Sequence, residues 1–270
     1  MTEERKQWLN EYLQETPKMF VKWKETGNIY AEGENDRADV FISDGIAVPE
    51  LWFQQDVRPL FILKEAYDAS EDHKDWDEVE WFITGGHKHG KILNKTWRTI
   101  ANWSGYIFTH TDWHWDECAY RSEQHKGSPY DLYLSKNTWE NPFLKHIAVM
   151  NIKKYGGHAS SNDADLRKHA EAHYELIYRQ IELIKPTVII CGHTAWLLDI
   201  VWKKMFGQPF RLERNSTWVY DVPNLICPVK LLDYWHPSSS YCTINGAYTC
   251  IDYLFRDNKA EDINEGHDDD

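Results

Sequence analysis

The chain has 270 residues, 42% of them hydrophobic, which is enough to bury one substantial core and forces no second domain. Its formal net charge of -13 speaks against a uniformly basic nucleic-acid binder, yet the charge is polarised: residues 257–270 hold seven acids against one lysine, whereas residues 84–158 hold ten Lys/Arg against six Asp/Glu. No stretch of eighteen apolar residues occurs and the opening MTEERKQWLNEYLQ is charged and amphipathic, so neither a membrane span nor a secretory signal is expected and a cytoplasmic location is.

In chain order, residues 3–24 place Trp8, Tyr12, Leu13, Phe20 and Trp23 at loosely helical spacing, with Pro17 as an interruption. This predicts one or two helices ahead of the core. Four short Ile/Val/Leu-rich segments follow: PLFILKEA (59–66), HIAVMNIKK (146–154), PTVIICGH (186–193) and PVKLLDYWHP (228–237). Each is bounded by polar residues or glycine, the pattern of strands buried on both faces and therefore of a parallel sheet.

Between the second and third strands, residues 165–184 set Leu166, Ala170, His173, Ile177, Ile181 and Ile184 on one helical stripe, with Asp163 as the expected N-cap. Residues 194–205 and 245–255 predict two more helices. Alternation of strand and helix gives an α/β fold: one domain over residues 1–256, a central, mostly parallel four-stranded sheet flanked by helices, then an acidic tail (257–270) that reads as disordered. Residues 69–145 interrupt this plan. They carry seven of the fourteen tryptophans and read as an insertion of helices and loops.

Five cysteines (Cys118, Cys191, Cys227, Cys242, Cys250) form no C-x-x-C pair, so reduced thiols are expected. His110, His114 and Cys118 are spaced by four, but TDWHWDE is a poor helix start. No metal site is expected, and no cofactor. Serine-hydrolase elbows, phosphate loops and dinucleotide-binding glycine motifs are all missing from the sequence. HKHGK (87–91) suits a basic loop near phosphates or an ordinary exposed one.

In a parallel sheet, ligands bind beyond the carboxyl ends of the strands. Those ends carry Lys64, Glu65, Tyr67 and Asp68 on the first, Asn151 on the second, His193 on the third, and His236 with Ser238, Ser239 and Ser240 on the fourth. A carboxylate orients water, an amide reads a planar heterocycle, and an imidazole stabilises a leaving group's charge. Together they suit cleavage of a base from a sugar.

The order LKEAYD (63–68), AVMNIKK (148–154) and WHPSSS (235–240), with IELIKPTVIICGHTAW between the last two, resembles the uracil-DNA glycosylase superfamily over roughly residues 59–255. The resemblance implies that Asn151 reads an everted base and that His236 stabilises the departing anion. It puts Glu65 or Asp68 in the water-orienting position, Tyr67 at the pocket wall, the serines on a phosphate, and Tyr241 as a wedge into the base stack. Lys64 stands where the family has glycine and Ala66 where it has proline, which leaves the excised base open between uracil and a modified one. The expected partner is DNA, single- or double-stranded, bound by a monomer. Two alternatives stay open: a non-catalytic module that binds a base, nucleotide or protein, and a hydrolase of free nucleosides or nucleotides.

Overall fold

The computed structural model describes residues 1–27, 40–67, 74–83, 94–110, 141–157, 160–211, 218–241 and 244–255. Helix α1 (Glu3–Thr26) opens the fold, capped by the Thr2 side chain on the Arg5 N–H. It runs unbroken through Pro17. Tyr12, Thr16, Met19 and Trp23 form its buried stripe while Pro17 and Leu13 face outward, so the carbonyl that proline leaves without a donor lies on the solvent side. Of the one or two helices expected, there is one.

Strands β1 (Ile42–Ser43) and β2 (Gly45–Ile46) and the short helix α2 (Pro49–Trp52) lead into β3 (Pro59–Tyr67). Then come β4 (Trp76–Asp77), α3 (Glu78–Ile83), α4 (Lys95–His110), a 3-10 turn (Pro142–His146) and β5 (Ala148–Gly157). The remainder alternates: α5 (Asp163–Ala172), α6 (Tyr174–Ile184), β6 (Val188–Gly192), α7 (Ala195–Phe206), β7 (Val219–Val222), β8 (Val229–Tyr234) and α8 (Ile244–Phe255).

The main sheet has six strands in the order β2-β5-β3-β6-β8-β7, and a separate two-stranded parallel sheet joins β1 to β4. The four predicted strands are its mutually parallel centre, while β2 and β7 close its two edges antiparallel. The expectation of four strands is thus corrected to six. The edge strands are only two and four residues long, too short for an alternation to stand out in sequence.

Both faces of the parallel centre are buried, because strand residues alternate between two apolar layers. Leu60, Ile62, Met150, Ile152, Ile189 and Leu231 pack under α1, α5, α6 and α7, with Trp23, Trp52 and Trp202 fully enclosed. Phe61, Leu63, Val149, Ile190, Leu232 and Tyr234 pack on the other side against α3, α4 and α8. Trp97 and Trp103 of the insertion belong to that second layer, so part of the insertion's aromatic content is core.

The helix expected over 165–184 is divided at His173, whose backbone leaves the helical region (φ -107°, ψ 21°). Its ring packs between Trp23 at 5.5 Å and His169 at 5.6 Å, and its Nδ1 lies 3.1 Å from the His169 carbonyl, which also accepts the His173 backbone N–H at 2.9 Å. The N-cap is Asn162, whose Oδ1 accepts from Ala164 and Asp165, rather than Asp163. Cys191, Cys227 and Cys250 are unbridged. Among the described residues no helix is long and apolar enough to cross a membrane.

Candidate functional site at the carboxyl edge of the sheet

Register fixes which strand ends meet. Leu63 of β3 stands opposite Asn151 of β5, and Gly192 of β6 opposite Tyr234 of β8. A Cβ on Gly192 would lie 3.0 Å from Leu63 Cδ2, 3.1 Å from Pro237 Cδ and 3.5 Å from His236 Cδ2. The missing side chain is the room into which His236, Pro237 and Leu63 close. Leu63 belongs to the second apolar layer, so Asn151, Leu63, Gly192 and His236 form a row across that face of the sheet.

His236 is held by the turn that follows it. Its Nδ1 accepts the backbone N–H of Ser238 at 3.2 Å and lies 2.8 Å from Ser238 Oγ. A ring nitrogen that accepts from a backbone amide carries no proton of its own, so the hydrogen of the neutral ring is on Nε2. Burial, with the positive charges of Lys64 and His193 adding to it, pushes the imidazole down to about 4. At neutral pH His236 is therefore an uncharged Nε2–H donor.

The same turn engages much of the serine cluster. Ser239 donates its N–H to the His236 carbonyl at 2.8 Å, and Ser239 Oγ accepts from the Tyr241 N–H at 3.2 Å. Lys95, in the first turn of α4, donates to the carbonyls of Ser238 at 2.8 Å and Ser239 at 3.0 Å. Ser238 thus supports the imidazole, whereas Ser240 is exposed. Tyr241 is 71% exposed and packs at 5.3 Å from Trp235, outside the core. His193 takes a left-handed backbone (φ 60°), donates its N–H to the Tyr234 carbonyl at 2.7 Å, and stacks on Trp235 at 5.8 Å.

Asn151 is 1% exposed and sits in a polar network that the sequence did not reveal. Its Nδ2 donates to Glu78 Oε2 at 2.5 Å and lies 3.4 Å from Asp44 Oδ2, while its backbone N–H donates to the same Asp44 oxygen at 2.7 Å. Lys154, fully buried, donates to both Asp44 oxygens at 2.6 Å, and Gln180 adds a fourth donor group at 2.7 Å. Both amide hydrogens of Asn151 are spoken for, and its Oδ1 is buried with no partner among the described residues.

Burial, reinforced by the charge of Asp44, raises the Glu78 carboxyl to about 8 against the opposing pull of Asn151 and Lys154. Burial likewise pushes Asp44 up and Lys154 down, each partly countered by the other. Asn151 and Glu78 together present an amide oxygen and a carboxyl that keeps its proton at neutral pH.

Glu65 stands opposite Lys153, and one of its oxygens lies 3.2 Å from the Lys153 ammonium, which also donates to Asp165 at 2.6 Å. All three side chains are almost completely buried. Lys64 pairs with Asp163 at 3.0 Å. Asp68 lies outside the described residues, as do the Tyr67 side chain, the HKHGK segment, and His114 and Cys118 of the metal spacing. Sequence reasoning thus found Asn151 and His236 on one sheet face, and it missed Asp44, Glu78 and Lys154. Lys154 carried one signal, a second consecutive lysine in an otherwise apolar strand; Glu78 and Asp44 carried none. No known protein family matches this chain, and no curated protein is similar to it in sequence.

Proposed function

We propose that the protein is a DNA N-glycosylase that hydrolyses the bond between deoxyribose and an everted uracil or modified base, leaving an abasic site. The observation that supports this best is the pairing, on one face at the carboxyl edge of the parallel sheet, of a buried amide at Asn151 with the tautomer-fixed Nε2–H donor of His236. In the proposed reaction the bond from C1′ to the base nitrogen breaks with its electron pair moving into the base. His236 Nε2–H then hydrogen-bonds the anion, whose charge needs no proton at that moment. A water oxygen bonds to C1′ and gives its proton to Glu65, shortly before β3 ends, or to Asp68, the next residue in sequence after that strand. Lys64 and Lys95 supply positive charge along the rim, and His193 a ring nitrogen, for the phosphates beside the flipped nucleotide.

Base binding without cleavage is the second reading, and the Glu65–Lys153 contact favours it, because that ammonium occupies an oxygen a water would use. Incubation with oligonucleotides bearing several altered bases, followed by alkaline cleavage at abasic sites, separates the two readings. Product formation lost in His236→Ala and in one of Glu65→Gln or Asp68→Asn supports hydrolysis and assigns the acid. Retention of altered oligonucleotides with no abasic product supports binding alone.

A further inference from the structure

A cavity of about 500 Å³ opens on the far side of Trp235, between α7 and the β7-β8 edge. Trp196, Trp218, Tyr220 and Trp235 supply its aromatic walls. Trp235 is held there by His193 stacked at 5.8 Å and Trp218 at 6.1 Å. Arg211 lines the cavity together with Asp199 and Asp233, its Nε on Asp199 at 2.7 Å, its Nη1 on Asp233, and its guanidinium over Tyr220 at 5.7 Å. Two carboxylates thus hold the guanidinium in one plane, and Nη2 has no hydrogen-bond partner among the described residues.

Aromatic walls with a fixed planar donor select a flat ring that offers a π-face to stack and a nitrogen or oxygen acceptor at its edge. We infer that this cavity is a second site, separate from the Asn151–His236 row, and that it takes a nucleobase by stacking on its tryptophans with Arg211 at the ring edge. The base belongs either to a free nucleotide or to a nucleotide flanking the everted one. Only the flanking source rests on the glycosylase reading. Its continuity with the rim is covalent: Trp235 precedes His236, and His193 touches both the cavity and the electrostatic surroundings of that imidazole.

Isothermal titration of the full chain with the four deoxynucleoside 5′-monophosphates, and separately with a mixed-sequence ten-nucleotide single strand, tests the inference. Binding by the wild type is expected to weaken about tenfold or more in Trp196→Ala and in Trp218→Leu, since one stacked base is lost. Melting curves of both variants establish that they remain folded, and Trp196, on the helix side of the cavity, keeps the test decisive if Trp218→Leu does not. Monophosphate binding identifies a free nucleotide; binding of the strand alone identifies a flanking base. The absence of any binding up to millimolar ligand, or equal binding by the Trp196 variant, overturns the inference. Abasic-site formation without cavity binding sinks this site and leaves the glycosylase reading, whereas cavity binding without base release does the reverse.

Discussion

Replacing Glu78 by glutamine tests the buried network around Asn151 through its pH dependence. Burial beside Asp44 lifts the Glu78 carboxyl from its ordinary 4.5 to about 8. Between those values the unfolded chain has released this proton and the folded chain still holds it, so the native state binds more protons and stability falls as pH rises. At 1.36 kcal/mol per pH unit the full loss is on the order of 3–5 kcal/mol, complete once the pH passes 8. Glutamine reproduces the protonated carboxyl: its oxygen accepts from Asn151 Nδ2 and its amide stands in for the O–H, with no proton to lose. Urea unfolding of both proteins at half-unit steps from pH 5 to pH 8.5 should therefore give nearly equal stability at the acid end, with the variant ahead by several kcal/mol at the alkaline end. Parallel stability curves, or a variant less stable than wild type at pH 8, would refute a buried neutral carboxyl at this position.

Four further outcomes follow from the geometry. Gly192→Ala places a methyl 3.1 Å from the Pro237 ring and 3.0 Å from Leu63, and should cost about 1–3 kcal/mol in chemical denaturation, with changes confined to Leu63, His236 and the turn after it in a crystal structure of the variant. Trp52→Phe removes the indole donor that lies 2.8 Å from the Ile184 carbonyl at the end of α6, so a loss of about 1–3 kcal/mol is expected, and a loss under about 0.5 kcal/mol would count against that bond. Lys95→Met frees the carbonyls of Ser238 and Ser239; on the glycosylase reading base release should fall while stability changes by no more than about 1 kcal/mol. Because His236 is lowered to about 4, base release should show no histidine limb between about pH 5.5 and 8, and an activity rise centred near 6.5 would contradict a neutral imidazole.

The parallel centre of the sheet was legible because its strands are covered on both faces and read as unbroken Ile/Val/Leu runs. The edge strands were not, since β7 is mostly half-exposed and β2 has two residues. His236 stood out as a polar residue just past an apolar segment and does follow the end of β8, whereas Asn151, expected at the end of its strand, lies inside β5, which runs on to Gly157 because Lys153 and Lys154 are paired and buried within it. What Glu65 touches depends on the register of β3 against β5, which sets it opposite Lys153. No local pattern encodes that alignment. Glu78 lies more than seventy residues from Asn151 along the chain, in an insertion with no periodic signal, so only the folded arrangement joins them.

The Asp44 carboxylate bears on how the protein keeps company with its own kind. Residues 40–46 run beside the outer side of β5, with β2 paired at Ala148 and Val149, Phe41 bridged to Tyr155 and the Gly156 N–H on the Val40 carbonyl; the Asn151 amide lies between these contacts, the sort of group onto which a foreign strand can zip. Asp44 covers it, anchored by the Lys154 ammonium and the Gln180 amide. A second polypeptide arriving there must displace both this segment and a carboxylate gripped from three directions before it forms its first ladder bond.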